Sequence, residues 1–183
     1  MTSENSKLTL NYYRMRTKLL FTTALIFLGT CFVTNAQNDT RFGAMVAYGT
    51  EIENVGIGVN AEIPVMEKLN ISPGFIYYFP KDEYGVSLNW WEINGNANYY
   101  FVENQSLNFY GIAGLNYTHV KFDFDESPFG DTSMETSDGR FGVNLGAGAN
   151  FEIGSGITPF AEVKYVIIDG SQLVIGAGVK FSI

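Results

Sequence analysis

Four carboxylates, Glu62, Glu92, Glu152 and Glu162, and four bases, Arg41, Arg140, Lys164 and Lys180, sit on the polar side of stretches in which every second residue is apolar. A charge in such a setting must be paired or hydrated, because taking it out of water unpaired is costly. Two chemistries follow: a charge network that fills and specifies an interior, or a gated ion path through the same groups. Nucleophilic hydrolysis is a third option, and it needs a base beside a nucleophile. His119 is the only histidine, and His119-Val120-Lys121 supplies no serine, so no enzyme activity is expected. The stretch Asp123 to Asp131, DFDESPFGD, has the carboxylate density of a calcium loop. It places Pro128 where such a loop needs glycine and lacks the closing glutamate. No metal site and no cofactor are expected.

The elements that hold these charges read as strands. GVNLGAGANFEI, Gly142 to Ile153, alternates without a slip: Val143, Leu145, Ala147, Ala149, Phe151 and Ile153 oppose Gly142, Asn144, Gly146, Gly148, Asn150 and Glu152. Side chains leave a strand on opposite faces in turn. The same pattern appears at Arg41–Gly49, Val55–Val65, Ile71–Phe79, Trp91–Phe101, Leu107–Tyr117, Ile157–Ile167 and Gln172–Ile183. No helical period competes. The segments match the roughly 9–11 residues with which a tilted strand crosses a bilayer.

Connector lengths alternate. Met66–Asn70, Val102–Ser106 and Gly154–Gly156 are short; Thr50–Asn54, Pro80–Ser87, Thr118–Gly139 and Ile168–Ser171 form the other set, the third being by far the longest. Hairpin geometry then sets partners. A first hairpin turning around Ile52 brings Arg41 close to Glu62, and turns near Ser155 and Asp169 place Glu152 and Lys180 on either side of Thr158. Arg41, Glu62, Glu152 and Lys180 are therefore expected to form one network at the end of the barrel that carries the termini.

Two barrels fit eight alternating strands: a soluble one with its apolar face inward around a ligand, and a membrane one with that face outward. The polar face is mostly glycine and asparagine with few long charges, which suits a narrow, filled lumen better than an open solvated surface. Tyr48, Tyr77, Phe79, Trp90, Trp91, Tyr117 and Tyr165 fall toward one set of strand ends, and Tyr99, Phe101, Phe109, Phe151 and Phe181 toward the other. Two aromatic bands are expected at the two interfaces of a membrane barrel. The expected fold is all-β, an eight-stranded antiparallel up-and-down transmembrane β-barrel.

From Arg41 to Ile183 the chain resembles the small eight-stranded outer-membrane barrels of Gram-negative bacteria, the OmpA/OmpX-like barrels. The likeness rests on LNFYGIAGLNY (Leu107 to Tyr117), GVNLGAGANFEI, ITPFAEVKY (Ile157 to Tyr165) and the ending VIGAGVKFSI. Terminal strands of that family commonly end on an aromatic; here Phe181 is the last aromatic and Ile183 takes the end position. The resemblance implies outer-membrane lipid and lipopolysaccharide as surroundings, the barrel-assembly machinery as a partner during insertion, and a structural, adhesive or surface-interaction role. A narrow pore is the alternative, and a soluble periplasmic ligand-binding barrel a more distant one. The resemblance also brings in barrels that act on lipid A; a deacylase of that kind would show a His-x-Ser arrangement, which His119 lacks.

The loops on the expected outer side are acidic. Glu51, Glu53, Asp82, Glu83, Asp123, Asp125, Glu126, Asp131, Glu135, Asp138 and Asp169 outnumber Lys81 and Lys121. Past Tyr117 the apolar phase switches to Val120, Phe122 and Phe124, which a bulge or the exit from the membrane would explain. A protruding hairpin here could recruit a partner strand at its edge. His119, Lys121, Asp123, Asp125, Glu126, Phe129, Asp131, Glu135 and Asp138 form this candidate surface-binding loop.

The first residues read as an export signal. Arg14, Arg16 and Lys18 precede an apolar run from Leu19 to Val33, and Thr34-Asn35-Ala36 offers small residues for cleavage before Gln37. The run is shorter than the roughly 20 residues of a spanning helix. Met15 is a candidate start, and the Ala-Gln junction resembles exports of Bacteroidetes. Cys31 follows Thr30 inside the apolar run, a poor lipidation context, and cleavage would leave no cysteine. Losing four basic residues and one acid takes the formal charge from −8 to −11. A phosphate backbone would be repelled, so nucleic acid is not an expected partner.

Overall fold

The computed structural model describes residues 40–83, 86–124, 135–154 and 156–182, with side chains left out at 81–83, 86, 122–124 and 135–136. The expected leader, its cleavage point and Cys31 lie outside the described residues.

Eight strands follow in sequence: β1 (Arg41–Gly49), β2 (Asn54–Met66), β3 (Leu69–Glu83), β4 (Val86–Glu103), β5 (Leu107–Phe124), β6 (Glu135–Phe151), β7 (Ile157–Ile167) and β8 (Gln172–Ser182). Each pairs antiparallel with its neighbour, and β1 pairs with β8, from Arg41↔Ser182 to Gly49↔Val174, so the sheet closes. Closure satisfies the backbone donors and acceptors that an edge would leave bare in lipid. Among the described residues no helix is long and apolar enough to cross a membrane; strands can do so.

Alternation decides what faces where. Val46, Ile57, Val59, Ile93, Leu115, Phe141, Leu145 and Ile175 are all exposed on the outside, Leu115 at 70%. Inside, Glu62, Glu92, Asn144, Asn150 and Lys180 are each at 2% or less. The soluble-protein order of apolar core and polar surface is thus inverted, which rules against the soluble ligand-binding barrel.

Glycine makes the narrow interior feasible at two places in particular. A Cβ at Gly178 would lie 2.1 Å from the Ala44 carbonyl oxygen, and one at Gly148 would lie 2.4 Å from the Tyr110 ring. Bulges shift the register between Pro64 and Met66, between Tyr78 and Lys81, and between Tyr100 and Val102.

Three expectations need correction. First, β3 to β6 run past the expected ends: most of the long connector Thr118–Gly139, and most of Pro80–Ser87, is strand. Second, no register shift interrupts β5 after Tyr117. Val120 is buried at 4% and continues the inward row of Asn116 and Thr118. The apolar phase there marks an interior that turns apolar, not a bulge. Third, Trp90 is not an interface aromatic. It is buried at 8% on the inward row of β4 that also holds Glu92, Asn94 and Asn96. Consecutive residues cannot share a face, and its neighbour Trp91 takes the outward one.

Candidate functional site: the lumen and the extended sheet

The lumen is layered. At the end carrying the termini, Lys180 Nζ lies 2.7 Å from Glu62 Oε2. Glu62 Oε1 accepts from Asn70 Nδ2 at 2.8 Å and from the Tyr100 hydroxyl. Arg41 Nη1 meets Glu152 Oε1 at 2.8 Å, and Thr158 Oγ1 donates to Glu152 Oε2 at 3.1 Å. Lys180 also donates to Asn150 Oδ1 at 2.9 Å and to the Tyr110 hydroxyl at 3.3 Å, and stands 4.5 Å over the Phe160 ring. Its charge is thus met by carboxylate, amide and π-face together. Strand register positions these groups: Arg41 is directly opposite Glu62, and Thr158 opposite Lys180.

A second cluster fills the middle. Lys164 Nζ donates to Glu92 Oε2 at 3.2 Å and to Asn94 Oδ1 at 2.7 Å. Gln172 Nε2 donates to Glu92 Oε1 at 2.6 Å, and Asn144 Nδ2 bridges Asn94 and Asn96, each at 2.8 Å. Tyr78 and Asn116 also donate to Glu92, each at 3.4 Å. The bonds from Lys164, Gln172 and Asn144 cross between strands that are not sheet neighbours, so they tie opposite walls together.

Above this, toward the longer loops, Ala47, Ile52, Ile76, Tyr78, Trp90, Val120, Val166 and Val174 form a buried apolar layer, with Met45, Leu88 and Ile168 against it. Trp90 Nε1 has no hydrogen-bond partner among the described residues. The charge pattern signals the ion pairs, and the asparagines are read on the polar face; Tyr78 and Tyr110 share that inward phase without being named from the sequence, and Trp90 and Val120 of the apolar layer are read there as outward or as a phase switch.

Not every expected member joins the lumen cluster. Arg140 sits at the rim, its Nε 2.8 Å from Asp138 and its Nη1 2.6 Å from the Asp169 carbonyl oxygen. Thr118 stands between it and Glu92 in the register, and its guanidinium is taken up by these rim partners. Glu162 does face inward, and receives the Tyr110 hydroxyl at 2.7 Å.

Outside, the aromatics form a row across four strands. Phe75, Trp91, Tyr117 and Phe141 follow one another at ring separations of 6.0, 5.7 and 4.9 Å, and Phe141 is 83% exposed. Tyr48, Tyr99, Phe101, Phe151, Tyr165 and Phe181 are exposed as well, and Tyr77 partly so. His119 is stacked on Trp91 at 4.9 Å.

Beyond that row the sheet continues. β4, β5 and β6 have 18, 18 and 17 residues, against 9 in β1 and 11 in β7 and β8. β6 pairs with β5 from Glu135, but with β7 only from Val143. Among the described residues its outer part therefore has a strand on one side. Lys121 is engaged by a neighbour, and Asp123 stands opposite Glu135 in the register. Asp125, Glu126, Phe129 and Asp131 lie outside the described residues.

This inverted, closed barrel agrees with the comparisons. The chain matches the family described as "Outer membrane protein beta-barrel domain" over residues 14–181. It belongs to that family and is an outer-membrane β-barrel protein. No curated protein matches it in sequence. Its fold is similar to the N-terminal β-barrel domain of Pseudomonas aeruginosa OprF, at 16% identity and a TM-score of 0.61, covering 80% of this chain and 98% of that one. It is also similar to Ail, the attachment invasion locus protein of Yersinia pestis, at 18% identity and 0.54, covering 78% and 97%. Neisserial surface protein A matches at 15% identity and 0.58, covering 79% and 96%. The outer membrane enzyme PagL shares the fold at 14% identity and 0.50, covering 78% and 99%. At these identities the likeness speaks for fold alone.

Proposed function

We propose that this protein is a closed, non-enzymatic outer-membrane barrel whose working part is the sheet that continues past the rim, serving a structural, adhesive or surface-interaction role. One observation carries the reading: β6 extends eight residues beyond its last pairing with β7, from Glu135 to Gly142, and presents one edge without a described strand partner. Such an edge can accept an extended segment by strand addition, with main-chain hydrogen bonds supplying affinity. The filled lumen supports the same view, because three ion pairs, the asparagine ladder and an apolar layer leave little room for solute flow. The name of Ail, an attachment and invasion protein, fits such a role without transferring it. An export signal cleaved before Gln37, insertion by the barrel-assembly machinery, and contact with lipopolysaccharide complete the proposal.

The test is attachment. Cells displaying the full chain are compared with cells whose β5–β6 hairpin is shortened by removing residues 121–137. The heat-dependent gel shift of a folded barrel should persist in both. Attachment should fall only in the shortened variant; equal attachment would contradict the role assigned to the extended sheet.

The narrow-pore reading has one observation in its favour: a small cavity of about 20 Å³, lined by apolar side chains together with Asn60, Ser72, Asn96 and Glu162. Conductance separates the two readings.

A further inference from the structure

The outside of the barrel changes chemistry at one level. Among the described side chains, the outward rows of the eight strands carry no Asp, Glu, Lys, Arg or His between the two aromatic rows. The first such groups past the outer row are His119 and Lys121 of β5. Strand register widens them into a step. Asn89, Lys121 and Ser137 are direct partners on β4, β5 and β6, and Trp91, His119 and Gly139 are partners one level below. The two lines are about 7 Å apart along the strands and span roughly 10 Å across them.

Each polar side chain of the step can donate a hydrogen bond, and none is a carboxylate. The His119 ring is held against Trp91, 4.9 Å away. A Cβ at Gly139 would collide with the Tyr117 hydroxyl, so this glycine gives the hydroxyl room beside His119. Asn89 and Lys121 are each engaged by a neighbour, and an ammonium has three donors to share. The surroundings have the opposite sign. Glu51, Glu53, Asp138 and Asp169 lie at this end, and Asp123 and Glu135 are the next register pair outward on β5 and β6. An anion repelled by these groups is met by donors at the step.

The step also has the height of a lipid headgroup. Trp and Tyr gather where hydrocarbon gives way to headgroups, and Trp91 and Tyr117 lie directly below. Further down the same two strands, Gly95, Ala97, Gly111 and Ala113 form a low apolar strip, where a Cβ at either glycine would meet nothing within 4 Å. Donors above an apolar strip fit an amphiphile with a phosphate at its head and acyl chains below.

We propose that His119, Lys121, Asn89 and Ser137 bind the phosphate of one outer-leaflet glycolipid, the lipid A part of lipopolysaccharide, whose acyl chains lie along the strip. The inference rests on the outer-membrane placement and lipopolysaccharide contact proposed above, and needs no partner strand at the β6 edge.

His119 is the only histidine in the chain, so its ring signals report on the step in NMR spectra of the untagged full chain, refolded in zwitterionic micelles. Titration with lipid A should shift these signals and saturate. Dephosphorylated lipid A, which keeps the acyl chains, should leave them in place, and so should phosphatidylglycerol at the same concentrations. Lys121→Gln should weaken lipid A binding about tenfold, the loss expected of a charge-assisted hydrogen bond. Ser137→Ala should weaken it less. The heat-dependent gel shift verifies folding of each variant. Unchanged affinity in Lys121→Gln would overturn the proposal, as would equal binding of the dephosphorylated lipid or of phosphatidylglycerol. A folded wild type whose His119 signals do not move would overturn it too. In that case, attachment lost on removing residues 121–137 would still leave the role of the extended sheet standing.

Discussion

Lys180 Nζ lies 2.7 Å from Glu62 Oε2, with side-chain exposures of 0% and 2%. Two full charges are thus held out of water at the end of a barrel whose outside is apolar. Removing one partner leaves the other buried and unpaired, which costs about 3–5 kcal/mol. Lys180→Met and Glu62→Gln should each lower the urea midpoint of the refolded barrel strongly. The double variant should lose less than the two single losses added, because it leaves neither charge stranded. Additive losses would mean that the pair is not energetically coupled.

The outward face is predicted to meet hydrocarbon. Leu145 is 50% exposed, between Ala113 and Tyr165 in the register. Leu145→Arg should destabilise the lipid-embedded barrel by about 2–4 kcal/mol, the cost of a base near the bilayer midplane. Unfolding in lipid vesicles measures it. An unchanged stability would mean that Leu145 is not in the hydrocarbon region.

Two glycines of the same strand type should respond oppositely. Gly178→Ala places its Cβ 2.1 Å from the Ala44 carbonyl oxygen, where backbone must move. Overpacking typically costs about 1–3 kcal/mol, and a backbone obstacle gives this site little means of relaxing. Gly95→Ala meets nothing within 4 Å and should fold as the wild type does. The yield of the heat-modifiable form compares them.

The apolar layer is predicted to be the tighter seal. Trp90 is buried with its Nε1 unpartnered among the described residues, and apart from the Tyr78 hydroxyl the other side chains of the layer are apolar, so it offers an ion few ligands. Trp90→Ala removes the largest side chain of the layer, at about 3–5 kcal/mol, and should permit conductance that Lys180→Met does not. The reverse order would place the seal in the charged cluster.

Much of this was legible because the alternation period is two residues, which fixes the strands and their pairing, while the glycine- and asparagine-rich polar face chooses between the two barrels that fit them. Arg41 opposite Glu62, and Lys180 opposite Thr158, follow from hairpin register alone. Strand ends were less legible. Polar residues such as Ser137 and Asp138 belong to β6 beyond its last pairing with β7, where no alternating apolar face is kept and the sequence reads as loop. Trp90 and Val120 misled for a related reason: the lumen changes from polar to apolar along its length, so an apolar residue no longer marks the outside. Arg140 was in phase with the lumen but not in height, and phase alone carries no height.

Planar-bilayer recording of the wild-type barrel tests the closed, surface-directed account most directly. The account predicts insertion without discrete conductance steps, because the ion pairs and the apolar layer fill the lumen. Steps that change in size or frequency in Glu62→Gln or Lys180→Met would contradict it and make the charged cluster the gate of a narrow pore.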